Sequence, residues 1–315
     1  MNYGLPYKGS KNKIAKWVCE QFPQRKHFYD LFAGGCAITH CAMTNNQFET
    51  YLANDVLDIP QLFSDAINGK YRNETRWISR DDFSRMKDTD LYVKTCWSFG
   101  NNGKAYLYSK EIEPYKKACH FAIVVNEWRD FEKLCPEVFE AAKNALNGIT
   151  DIKLRRLAFG PAIIKKLKEL NDWDLVQNNT LYKSAHWRKN GLKEKSVDLQ
   201  SLQSLERLER LKISKSDYQD IKIKENALIY CDIPYKNTDK YECEFDYERF
   251  YLWAEAQSEP VIISEYAMPK NRFICIAQKE KTVTLSATAT NKMVEKLFVP
   301  KIQLEKGIFK REWIK

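Results

Sequence analysis

One short run limits the fold of this chain more than any other. His27 to Phe32 (HFYDLF) is an apolar stretch of strand length that enters Ala33-Gly34-Gly35 directly. A helix-like stretch begins at Cys36, and Thr50 to Ala53 is a second short strand that ends at Asn54-Asp55. Strand, glycine turn, helix, strand and terminal acid, in that order, open a nucleotide-binding α/β domain. The glycines permit a tight turn and a close approach of backbone to ligand. An acid at the end of the second strand can accept hydrogen bonds from ribose hydroxyls. A glycine pair after a strand also makes ordinary turns, so each half is weak alone and the pair is stronger. The sequence has no GKS or GKT phosphate loop, which removes the common ATPase version of such a domain.

The remaining segments place this unit in a larger plan. Asn12 to Phe22 has helical spacing, with Ile14, Trp17 and Val18 on one side, and a helix-like segment covers Ile59 to Asn68. Trp97 to Tyr108 (WSFGNNGKAYLY) is a glycine and asparagine turn beside aromatics. Helical, charged segments follow from Glu113 to about Asn147 and from Ile152 to Leu170, and Asn178 to Gly191 is polar and basic, with Tyr182, His186 and Trp187 interleaved. Leu199 to Leu211 has the leucine spacing of an amphipathic helix. Ala227 to Cys231 (ALIYC) and Pro260 to Ser264 (PVIIS) are buried-strand candidates around a helix at Phe245 to Ala256. Phe273 to Ala277 and Lys281 to Leu285 are expected to pair as closing strands. The α/β signal thus stands at both ends and is interrupted in the middle. The expected fold class is a doubly wound α/β sheet, 1–90 and 200–315, carrying an inserted, mostly helical domain, 91–199.

Composition narrows the function classes. Apolar residues make up 44% and charged residues 30%, the balance of a soluble globular chain. There is no apolar run long enough for a membrane span and no apolar leader in the first residues, so a cytoplasmic location is expected. Nine cysteines, at 19, 36, 41, 96, 119, 135, 231, 243 and 275, form no CxxC pair, and the four histidines are scattered. Free thiols and no metal site are expected. The net charge of +9 permits phosphate contact without demanding it. From Asp151 to Lys215, 15 Lys and Arg stand against 8 Asp and Glu, which is either a solvated helical face or a nucleic-acid face.

The chemistry concentrates at Asp232-Ile233-Pro234-Tyr235, which leaves the strand Ala227 to Cys231. A carboxylate can accept a hydrogen bond from an exocyclic amine, and a neighbouring backbone carbonyl can accept the amine's other proton. Proline fixes the turn, and an aromatic ring can stack on a base taken out of the helix. The same four residues could also be a plain strand-end turn.

These motifs, in this order, resemble the Dam-type (D12 class) adenine-N6 DNA methyltransferases. Tyr7-Lys8-Gly9-Ser10-Lys11 is similar to the opening segment of that family. Asp30 and Phe32 through Gly35 fit its cofactor motif, with Leu31 in place of the usual proline and Cys36 in place of a frequent third glycine. Asn54-Asp55, Ser216-Asp217-Tyr218 and Asp232 to Tyr235 match three further motifs, and Ser264-Glu265-Tyr266 with Glu295-Lys296-Leu297-Phe298 resembles the C-terminal part. The likeness touches nearly the whole chain except about residues 110–195.

The resemblance implies a Rossmann-like S-adenosylmethionine-dependent sheet with an inserted target-recognition domain. It implies that Asp30, Phe32, Ala33 and Gly34 line the cofactor pocket, that Asp55 holds the ribose and that Asp217 meets the cofactor's adenine or amine. Lys11 and Tyr7 are implied near cofactor and target, and Asp232, the Ile233 carbonyl and Pro234 at the target amine, with Tyr235 stacked on the base. The implied partner is double-stranded DNA; methyl transfer to one strand at a time requires no dimer, so oligomeric state stays open with a monomer favoured. Lys183, His186, Trp187, Arg188 and Lys189 are the candidates for phosphate and base contacts. Asn101, Asn102 and Lys104 lie on a loop able to enter a groove or the gap left by a flipped adenine; the bland alternative is a solvent-exposed hairpin tip. Ile233 removes the fixed φ of the family's proline and adds an N–H, and a side chain at Cys36 calls for ordinary right-handed backbone there. Two rivals stay open: methylation of cytosine N4, an RNA base or a protein amide, and a catalytically inactive DNA-binding relative.

Overall fold

Sheet formation follows from where the uninterrupted apolar runs fall. Strands β1 (His27–Asp30), β2 (Thr50–Asp55), β3 (Leu211–Lys215), β4 (Ala227–Cys231), β5 (Val261–Glu265), β6 (Phe273–Thr284) and β7 (Thr290–Pro300) join in the order β3-β2-β1-β4-β5-β7-β6. The computed structural model describes residues 3–5, 9–71, 74–101, 103–170, 209–236, 245–284 and 290–314. β1 runs parallel to β2 and β4, β3 parallel to β2, and β5 parallel to β4. β7 is antiparallel to both β5 and β6. The mixed α/β class expected from the sequence is the class observed. Every residue of β4 and β5 is buried, as central parallel strands covered on both faces require. Each Ile, Leu or Val removed from water there contributes about 2 kcal/mol.

The chain divides into two compact units, one of Met1–Leu5, Gly9–Ser64 and Gln200–Lys315, the other of Pro6–Lys8 and Asp65–Leu199. The first contains the whole sheet, with helices α1 (Ala15–Glu20) and α2 (Ala37–Thr44) and most of α3 (Ile59–Ile67). The described part of the second is helical: α4 (Arg80–Met86), α5 (Leu91–Cys96), α6 (Glu113–His120), α7 (Arg129–Leu134), α8 (Pro136–Leu146) and α9 (Ile152–Glu169). The helical stretch expected from Glu113 to Asn147 is broken by a π turn at Phe121–Val125, by left-handed Asn126 (φ 62) and by Pro136 at the start of α8. Arg155 is buried inside this unit, with its guanidinium donating to the carbonyls of Ala122 (2.7 Å), Ile123 (2.6 Å) and Ile149 (3.0 Å). In the first unit, α10 (Tyr247–Ala256) follows β4 and α11 (Lys301–Glu305) follows β7. No helix among the described residues is long and apolar enough to cross a membrane.

Three local expectations are corrected. The amphipathic helix expected to reach Leu211 stops before it: Glu209 is helical, Leu211 opens β3, and residues 199–208 lie outside the described residues. β3 is an edge strand with Lys212 and Lys215 in it, and edge strands are charged to resist further pairing, which hides them from an apolar pattern. Phe273 to Ala277 does not pair with Lys281 to Leu285. Phe273 to Ala277 and Lys281 to Thr284 both lie in the single strand β6, whose partner is β7, with Gln278 opposite Lys296 and Glu280 opposite Val294; Leu285 lies outside the described residues. The polar residues between them sit on an edge and break nothing. Cys36 is left-handed, with φ 57, where the expectation was right-handed backbone. A non-glycine residue costs about 1–2 kcal/mol in that region.

The first residues close over this turn. Leu5 N–H donates to the Gly35 carbonyl at 2.6 Å, and Gly4 N–H to His40 Nδ1 at 2.9 Å. Gly4 has φ +65, and a Cβ there would lie 2.4 Å from the Gly35 oxygen and 2.6 Å from the Ala37 backbone. Gly4→Ala is therefore expected to cost at least about 3 kcal/mol. Gly148→Ala, at φ +74 with nothing within 4 Å, is expected to cost about 1 kcal/mol. Urea unfolding of the two variants measures this, and equal costs would contradict the close approach at Gly4.

Candidate functional site

The strand order reverses direction between β1 and β4, and ligands of open α/β sheets bind at such a point, outside the C-terminal strand ends. Acids gather along that edge. β1 ends at Asp30, β2 at Asp55 and β5 at Glu265; Asp232 follows β4 and Asp217 lies just beyond β3. All of these residues belong to the first unit.

Asp30 is buried. Its Oδ2 accepts from the Thr39 hydroxyl on α2 at 2.7 Å, while its Oδ1 is buried without a donor among the described residues. Burial pushes its carboxyl up to about 7, partly offset by the Thr39 bond, with Asp232 and Asp55 raising it further. Asp55 accepts from Gly34 N–H at 2.9 Å and Leu57 N–H at 3.0 Å, which ties the glycine turn to the end of β2. Burial pushes Asp55 up, and these backbone donors pull it back. Ala33 N–H donates to the Asn54 carbonyl at 2.8 Å. Buried Asn54 donates to the carbonyls of Leu31 (3.1 Å) and Ser216 (3.0 Å), so three strand ends are stitched by one amide. Leu31 N–H donates to the Tyr230 carbonyl at 3.0 Å, a bond that the family's usual proline cannot make. Phe32 packs 5.3 Å from the Tyr218 ring and edge-on to Phe250. Asp217 caps the short turn after β3 through Gln219 N–H (2.9 Å) and pairs with Arg249 at 3.3 Å.

Of the residues from Asp232 to Tyr235, the structure brings Asp232 and Tyr235 to Lys11. Ile233 is 1% exposed and belongs to the core packed with Phe250 and Tyr251. Its side chain thus anchors the loop where a proline ring would have stiffened it. The Pro234 carbonyl accepts from the Tyr247 hydroxyl at 3.0 Å. Lys11, 6% exposed, places Nζ 2.8 Å from Asp232 Oδ1 and 2.5 Å from the Tyr235 hydroxyl, and the same ammonium lies 4.4 Å from the Tyr235 ring centroid. Burial opposes the charge on Lys11, but Asp232 and Glu295 outweigh it and hold its pKa above the ordinary value. The Tyr235 ring meets Tyr266 edge-on at 4.4 Å. Glu265 accepts from the N–H groups of Tyr266 (2.7 Å) and Lys236 (3.3 Å), yet burial raises its carboxyl to about 7.

The second unit holds the loop from Ser98 to Tyr106, which an isolated antiparallel bridge closes. Phe99 N–H donates to the Ala105 carbonyl at 2.8 Å, and the Asn101 amide donates to the Thr95 carbonyl at 3.0 Å. Lys104 is exposed on this loop, and Phe99, beside the closing bridge, is 67% exposed. Tyr7, Asn102, Lys183, His186, Trp187, Arg188 and Lys189 lie outside the described residues.

Thr39, Asn54, Ser264 and Glu295 in the first unit, and Phe99 in the second, have no role assigned from the sequence. Asn54, Ser264 and Glu295 lie within matched motifs, but their contacts depend on pairing across strands. Phe99 has a local signal in the sequence, an aromatic beside Gly100 in a turn.

Comparison with known proteins adds two findings. A family model described as D12 class N6 adenine-specific DNA methyltransferase matches residues 7–259. A Type II methyltransferase of Haemophilus parahaemolyticus is 41% identical over 54 residues, which is 17% of this chain and 16% of that protein. The chain thus matches about one sixth of that curated relative's length.

Asp30 generates a pH prediction. Its folded pKa of about 7 lies above the ordinary carboxylate value, so its stabilising contribution is full below about 4 and is lost as pH rises through 7. Asn at 30 keeps an acceptor for Thr39 and cannot ionise. The melting temperature of Asp30→Asn is expected to gain several degrees on the wild type between about pH 5 and pH 7, and to gain no more above that. A difference independent of pH would contradict the buried charge.

Proposed function

The chain belongs to the D12 class N6 adenine-specific DNA methyltransferases, and we propose that it transfers a methyl group from S-adenosylmethionine to N6 of an adenine flipped out of double-stranded DNA. One observation carries the proposal. Asp232 stands at the sheet's switch point with an amine-type donor, the Lys11 ammonium, already 2.8 Å from its Oδ1. The exocyclic amine of adenine is a donor of the same kind, and the Asp232 loop has the acceptors and the aromatic ring to hold it.

The residues at the strand ends fit the cofactor. S-adenosylmethionine carries a sulfonium and an ammonium charge, and when bound it supplies a methyl group that the sulfonium activates for transfer. Asp30, with a buried oxygen that lacks a donor among the described residues, and Asp55, at the glycine turn, are the residues proposed to hold it. A cation beside Asp30 offsets the burial that raises its carboxyl. Phe32, Ala33 and Gly34 supply the wall and the close backbone. Asp217, engaged with Arg249, is proposed to take the adenine end after giving up that partly exposed pair.

On the target side, the N6 lone pair is delocalised into the ring and is a poor nucleophile. Asp232 and the Ile233 carbonyl accept the two amine protons, which favours a tetrahedral nitrogen as attack begins. Tyr235 stacks on the base, and the fixed loop supplies orientation. When the nitrogen gains a fourth substituent it must release a proton, and the Asp232 carboxylate is the acceptor beside it. The burial of Ile233 supports an ordered loop at the position where the family has proline.

In the second unit, Phe99 is proposed to fill the stack that a flipped base leaves, as exposed apolar wedges do. Lys104 and the segment with Lys183, His186, Trp187, Arg188 and Lys189 are proposed to contact phosphates and base edges.

The test is to incubate the protein with unmethylated genomic DNA and S-adenosylmethionine and read the nucleosides by mass spectrometry. Deoxy-N6-methyladenosine is expected from the wild type and none from Asp232→Ala. N4-methylcytosine would overturn the assigned base, and no product from protein that binds the cofactor would overturn DNA as substrate. Phe99→Ala is expected to lower kcat/KM for DNA by at least about tenfold with cofactor affinity unchanged; an unaltered kcat/KM would remove the loop from the mechanism.

A further inference from the structure

Glu295 is fully buried on β7, in a sheet whose other site acids stand at strand ends. The register explains how it reaches the site. Ser264 on β5 lies opposite Leu297 on β7, and directly opposed residues share a face. Glu295, two residues from Leu297, projects to that same face as a diagonal neighbour of Ser264. One of its oxygens, Oε1, accepts from the Ser264 hydroxyl at 2.7 Å and from the Tyr235 hydroxyl, and lies 3.6 Å from Lys11 Nζ. A buried oxygen with two hydroxyl donors and an ammonium nearby is the environment of an ionised carboxylate. The Lys11 ammonium is thus bracketed by two acids, Asp232 at 2.8 Å and Glu295 at 3.6 Å.

We propose that Glu295 is a positioning residue for the transfer: it fixes the Tyr235 hydroxyl and gives Lys11 a second anion to rest on when the target amine takes its place at Asp232. This rests on the methyl-transfer reading above. The target amine and the Lys11 ammonium compete for one carboxylate. Without a second acceptor, Lys11 can leave Asp232 only as an uncompensated buried cation, which is costly. With Glu295 in place, Lys11 shifts toward Glu295 and Tyr235, and Asp232 is released. Ser264 completes the arrangement by satisfying Glu295 from the neighbouring strand.

Glu295→Gln keeps the shape and removes the charge. It is expected to lower kcat for N6-methyladenine formation at least about tenfold, with KM and calorimetric Kd for S-adenosylmethionine within about twofold of wild type. Residues that act as a unit are not additive, so the double variant Lys11→Met with Glu295→Gln is expected to fall no further than the worse single variant. An active wild type with Glu295→Gln near wild-type kcat, or losses that multiply in the double variant, would overturn this inference alone. A wild type that makes no N6-methyladenine overturns the proposed function and this inference with it. If Glu295→Gln does not fold, Ser264→Ala decides: a lower kcat at unchanged KM supports the role, and unchanged kinetics overturn it.

Discussion

Asp30 carries a carboxylate to the end of β1, where Thr39 satisfies one oxygen and the other meets no donor among the described residues. Burying such a group without a partner costs free energy, and its raised pKa is the signature of that cost. The neighbouring strand ends add to it. Asp55, Asp232 and Glu265 stand on the same edge, and Asp55 and Asp232 push Asp30 further up. Lys11 serves the Asp232 and Glu295 side of this edge, and among the described residues no ion pair reaches Asp30. A cationic ligand is what such an edge accommodates best. The glycine turn, the Asn54 stitch and the first residues packed over Gly35 all hold the backbone that brings these acids together.

Much of this was legible in the sequence because it is written in consecutive residues. β1, β2, β4 and β5 are apolar runs, each followed closely by an acid, so strand and site appear in one reading. The parts that were not legible share a physical reason. β3 is a charged edge strand, and the middle of β6 is polar because it too is an edge. Glu295 and Ser264 meet through cross-strand register, which a linear pattern does not carry. Ile233 looked like a loss of rigidity, yet its meaning lay in what its side chain touches. Cys36 goes the other way: its left-handed φ shows that the position still has the backbone a glycine would favour.

The site therefore has two electrostatic halves on one edge. Around Asp30 and Asp55, carboxylates are undercompensated and suit a positively charged group. Around Asp232, Lys11, Tyr235 and Glu295, charges are paired and hydrogen-bonded, which suits a neutral amine entering by exchange with an ammonium. The division is consistent with the proposed placing of cofactor and target at different strand ends.

The most direct test is calorimetry of S-adenosylmethionine binding in two buffers of different ionisation enthalpy at about pH 6.5, where carboxyls with pKa near 7 are largely protonated. Binding a cation beside Asp30 is expected to release a substantial fraction of one proton per molecule bound, and the release is expected to shrink in Asp30→Asn. Binding with no proton release, or with uptake, would contradict the claim that these buried carboxylates receive the cofactor's charge.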